Sequence, residues 1–97
     1  MRQNGHDTLA SDLVTVFEAA NDTTRELYVG VTSLFIDAVI RSHYRRPPRE
    51  IAHWAREHRI SYRCVEYALP RDAASEFVKN YTQSTAVKGW KTVGAHA

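Results

Sequence analysis

The chain has 97 residues, 43% hydrophobic and 25% charged, a composition that fits one small globular domain and leaves no room for a second core. No apolar run approaches the roughly 20 residues that cross a bilayer. The single cysteine, Cys64, excludes an internal disulfide and a Cys-type zinc site.

Residues 1–12 are polar and are expected to form a flexible segment. They hold no apolar core of signal type, so a cytoplasmic location is expected. Residues 13–19 are rich in β-branched and aromatic side chains and read as a strand. Asn21-Asp22-Thr23-Thr24 is a turn cluster, and residues 26–31 read as a second strand that completes a hairpin. Thr32 or Ser33 can cap a following helix, in which Ile36, Val39, Ile40 and His43 recur at helical spacing. Pro47-Pro48 ends that helix and Pro48 opens another, with Ile51, Trp54, Ala55 and His58 in its stripe.

Residues 59–69 read as a third strand. Ile60, Tyr62 and Cys64 share one face, and Val65, Tyr67 and Leu69 the other, which predicts a central, covered strand. A helix is expected over residues 70–84, burying Ala74, Phe77, Val78 and Tyr81. Residues 87–93 add a short closing strand, weakened by Gly89. The expected architecture is a single α+β domain over residues 13–93 with a tail at 94–97, in the order β-β-α-α-β-α, then β.

Charge is unevenly placed. The first 40 residues carry two basic and six acidic side chains, and the remainder eleven basic and five acidic. Seven arginines lie between Arg41 and Arg63, opposed only by Glu50 and Glu57. Guanidinium pairs with phosphate in a bidentate way, so concentrated arginine suits a polyanion. Arg45, Arg46 and Arg49 bracket Pro47-Pro48 and are candidate phosphate contacts. The alternative for this segment is a solvated, mixed-charge surface.

Tyr28-Val29-Gly30 sits in the second strand, and Thr15-Val16-Phe17 lies at the matching place in the first. With this element order, the sequence resembles the GIY-YIG nuclease family, named for two such tripeptides on adjacent strands. The resemblance runs from about Leu13 to Val93. It implies a small three-stranded antiparallel sheet flanked by helices. It also implies catalytic roles for Tyr28 and His43, and a single Mg²⁺ held by Glu76. Lys88-Gly89-Trp90 is similar to a Lys-Trp pair of the family, with a glycine inserted.

Two positions depart from that pattern. Phe17 lacks the hydroxyl of the family's first tyrosine. Ala38 stands near the place of a helix arginine, leaving Arg41 as the substitute. Phosphodiester cleavage builds negative charge that a cation and a metal stabilise, and loss of one such group commonly costs about 10²–10³-fold in rate. The resemblance therefore implies binding of nucleic acid, DNA in particular, with cleavage absent or weak. The alternatives are an active Mg²⁺-dependent endonuclease that recruits Arg41, and a protein-interaction module on the same fold. No membrane partner is expected. Targeting is expected to need a homodimer or a partner protein.

Overall fold

Short polar side chains at residues 21–24 set the first turn. Asn21 is buried, and its Oδ1 accepts hydrogen bonds from the backbone N–H groups of Thr23 and Thr24 at 3.1 and 3.3 Å. Arg25 completes the reversal with φ of 57°. The turn joins strand β1 (Leu13–Asn21) to strand β2 (Glu26–Thr32) in the computed structural model, which describes residues 9–56 and 60–96. Helix α1 (Ile36–Arg45), a 3₁₀ helix (Arg49–Arg56), strand β3 (Ile60–Pro70), a short 3₁₀ turn (Arg71–Ala73), helix α2 (Ala74–Val87) and strand β4 (Lys91–His96) follow. No helix among the described residues is long and apolar enough to cross a membrane.

The strands form one mixed sheet in the order β3-β1-β2-β4. β1 pairs antiparallel with β2 and β3, and β4 pairs parallel with β2. The α+β class and the hairpin agree with the sequence. The three-stranded antiparallel sheet does not, because β4 adds a fourth, parallel strand. That strand lies at residues 91–96 rather than 87–93, because α2 runs on to Val87 and Gly89, at φ of 92°, turns the chain. It also takes up residues 94–96 of the expected tail.

β3 is an edge strand and not a central one. Its pairing with β1 shifts twice, between Val14 and Val16 and between Val16 and Phe17, each time with an extra residue on β3. Ala68, at φ of 58°, lies in the first bulge. The bulges break the alternation, so Tyr67 turns to the α1 side and stacks on Phe35 at 5.9 Å instead of joining Val65 and Leu69. The second expected α-helix is a 3₁₀ helix. Ile51 and Trp54, three apart, share a face in either form, and both are fully buried. Residues 1–8 of the expected flexible segment lie outside the described residues, as do His58 and Arg59.

Two cores result, one on each face of the sheet. α1 and the 3₁₀ helix cover Phe17, Ala19 and Tyr28 with Val39, Ile51 and Trp54. α2 covers Val16 and Val29 with Val78, aided by Phe77 and Tyr81. On this second face Tyr81 donates to Glu18 and accepts from Arg63 at 2.7 Å, tying α2 to β1 and β3. Burial and the Glu18 carboxylate push the Tyr81 phenol up to about 12. In α1 Ile36, Val39 and His43 of the expected stripe face the sheet, Ala38 is buried beside them, and Ile40 departs from the stripe at 41% exposed.

Candidate functional site

The face under α1 is laid out in rows by strand register. Ala19 pairs with Tyr28 on one side and Tyr62 on the other. Phe17 pairs with Gly30 and Cys64. Large and small side chains therefore alternate within each row and between the rows. A Cβ on Gly30 would collide with the Phe17 ring, so the glycine of Tyr28-Val29-Gly30 is required by packing. Gly94 plays the same part from β4, where an added Cβ would lie 2.9 Å from Tyr28 Cδ2 and 3.2 Å from Glu50 Cγ.

His43 descends from α1 onto this surface. Its ring centroid lies 5.5 Å from Phe17, 6.2 Å from Tyr28 and 5.5 Å from Tyr62. Its Nδ1 is 3.0 Å from the Tyr62 hydroxyl. Burial lowers the imidazole pKa, so the ring is neutral at pH 7. Burial, with the nearby Glu50 carboxylate, raises the Tyr28 phenol. Burial and Tyr28 likewise raise Tyr62. The three groups thus sit together in their uncharged forms. A neutral imidazole beside two phenols can accept or relay a proton, which is general acid–base chemistry.

Phe17, Tyr28, Gly30, Val39, Ser42 and His43 line a cavity of about 210 Å³. Leu34 and Ser42 are shared with a second, larger depression of about 560 Å³ on the outer side of α1. Arg41, Arg45 and Arg46 line that depression. The two cavities are thus neighbours, one aromatic and one cationic. Arg45 and Arg46 also complement the C-terminal end of the α1 dipole.

The structure brings Tyr28 and His43 into one pocket. Arg41 does not reach it and lines the cationic depression with Arg45 and Arg46. Arg49, exposed at the start of the 3₁₀ helix, lines neither. Ala38 borders the cationic depression, and Val39 and Ser42 line the aromatic pocket with His43. Glu76 is exposed in the first turn of α2, whose packed residues cover the opposite face of the sheet. No group of three or more His, Cys, Asp or Glu that could hold a metal forms among the described residues. A lone exposed carboxylate across the sheet from Tyr28 does not fit the Mg²⁺ role that the resemblance implies.

Tyr62 stands against His43, and Glu50 and Gly94 against Tyr28, three neighbours that the sequence reading does not single out. The alternation of Ile60, Tyr62 and Cys64 marked the face of Tyr62, but its pairing with Ala19 depends on register. Gly94 reaches Tyr28 only because β4 runs parallel to β2. Comparison with family models, with curated proteins and with solved structures returns no match to this chain.

Proposed function

We propose that the chain is a nucleic-acid-binding domain of GIY-YIG type in which phosphodiester cleavage is absent or weak. The observation that carries this is the adjacency of the two cavities. A cationic depression with Arg41, Arg45 and Arg46 opens beside a pocket with Tyr28 and His43, the two sharing Leu34 and Ser42. Phosphates bound by the arginines would hold the adjoining nucleotide at the aromatic pocket.

Weak cleavage follows from what stands around that pocket. Phe17 offers no hydroxyl, Val39 offers no cation, and Glu76 lies on the other face. The meeting of Tyr28 with a neutral His43 favours a second reading, a residual endonuclease using that pair for proton transfer.

The test is a paired measurement on the purified chain. Fluorescence anisotropy with a labelled DNA duplex reads binding, and relaxed-circle formation from supercoiled plasmid, with Mg²⁺ or Mn²⁺, reads nicking. Binding without nicking is expected. Absence of binding to both duplex and single-stranded nucleic acid overturns the proposal. Nicking that His43→Phe abolishes establishes the second reading.

A further inference from the structure

The most exposed large hydrophobic side chain on α1 has no role in the core or in the pocket. Tyr44 is 92% exposed, and Ile40, one turn earlier, is 41% exposed. A phenol ring left in water contributes little to folding, since apolar surface stabilises only when buried. Arg41, Tyr44 and Arg45 stand at i, i+3 and i+4, so they are neighbours on one helix face. Arg46 follows, and Arg41, Arg45 and Arg46 line one depression. α1 stops at Arg45 and Pro47-Pro48 prevents its extension, which fixes the ring at the last turn of a held helix.

We infer that Tyr44 is a stacking platform for an unpaired base, so that the ligand of the arginine depression is single-stranded nucleic acid. The inference rests on the nucleic-acid reading above and names the class of ligand. Two physical points select it. In a duplex each base face is covered by its neighbours, so a projecting ring has no face to stack on. A single strand offers base faces together with phosphates, and the helix presents one exposed aromatic ring beside Arg41 and Arg45 at the edge of the arginine depression. The charge on this face argues against an apolar protein partner. Covering Tyr44 and Ile40 with one would desolvate guanidiniums that a polyanion pairs directly. Asp37 is the only acidic residue of α1.

The test uses a short labelled oligothymidine and the same strand in duplex with its complement, with binding read by anisotropy at one salt concentration. The wild type is expected to bind the single strand more tightly. Tyr44→Ala is expected to weaken single-strand binding about tenfold and to leave duplex binding unchanged, as the loss of one stacked base predicts. Tyr44→Phe keeps the ring and is expected to bind like wild type. At its exposure Tyr44 has no packing to lose, so these variants fold. If both forms bind equally and Tyr44→Ala changes neither, the stacking inference fails and nucleic-acid binding stands. If neither form binds, the nucleic-acid reading fails and the inference with it. Concentration-dependent dimerisation that Tyr44→Ala abolishes, without oligonucleotide binding, would assign the patch to a second copy and overturn the inference.

Discussion

The Nδ1 atom of His43 on α1 lies 3.0 Å from the hydroxyl of Tyr62 on β3, joining the helix to the edge strand through polar groups that burial keeps neutral. Burial of His43 makes stability depend on pH. His43 titrates below the ordinary value of 6.5 in the folded chain, so the unfolded chain takes up the proton first as pH falls. The stability of the neutral imidazole is fully present above 6.5 and is lost as pH falls through the folded value. His43→Phe keeps an aromatic ring and removes the titration. Urea midpoints measured above and below 6.5 should converge in this variant relative to wild type. Equal pH dependence in both chains would place the linkage elsewhere.

The Phe17–Gly30 pair yields a packing prediction. Gly30→Ala forces the Phe17 ring aside and should cost about 1–3 kcal/mol, the range for an overpacked core. Phe17→Leu should absorb part of that cost, so the double variant should be more stable than the sum of the single effects predicts. Denaturant melts of all four chains of the cycle measure this coupling. Additive losses would show that the ring does not occupy the glycine's space.

Thr15 is buried, and its hydroxyl has no hydrogen-bond partner among the described residues. Valine has the same branched shape without the polar atom and suits a strand. Thr15→Val should raise stability by about 1 kcal/mol, the lower end of the penalty for an unsatisfied buried group. A rise in the urea midpoint with an unchanged slope is the expected result.

Restoring the nuclease pattern should not restore cleavage through α1. Ala38→Arg replaces a buried small side chain at the edge of the arginine depression, so it should lower stability by about 1–3 kcal/mol and produce no nicks. Val39→Arg aims at the right pocket, but Val39 is fully buried, and an unpaired cation there should destabilise the fold by several kcal/mol. Glu76→Ala, on the solvated side of α2, should change stability by less than about 0.5 kcal/mol and leave DNA binding intact. Plasmid nicking and thermal melts of the three variants check these outcomes together.

Local chemistry made much of this legible from the sequence. The Asn21-Asp22-Thr23-Thr24 turn, the hairpin, the stop at Pro47-Pro48 and the Ala74, Phe77, Val78, Tyr81 stripe follow from propensity and spacing. The resemblance drew attention to Tyr28 and His43 separately, and their packing together is a product of strand register and the α1 stripe. What did not show depended on long-range pairing. A bulge at Ala68 moves Tyr67 to the other face, and no local rule marks an alanine for positive φ. The edge position of β3 depends on β4 adding beyond β2. The offset of Arg41 from the pocket follows from its place on α1: at about 100° per residue it is turned away from Val39 and His43, which lie two residues to either side.

If Arg45 and Arg46 at the end of α1 hold phosphates as proposed, the salt dependence of duplex binding shows it directly. Each phosphate contact adds about 0.9 to the magnitude of the log–log slope of affinity against salt. Replacing Arg45 and Arg46 together with Ala should flatten the wild-type slope by about 1.8, with a similar loss on every sequence tried. Arg49→Ala, outside the depression, should leave the slope nearly unchanged. A double variant with the wild-type slope would show that these arginines hold no phosphate.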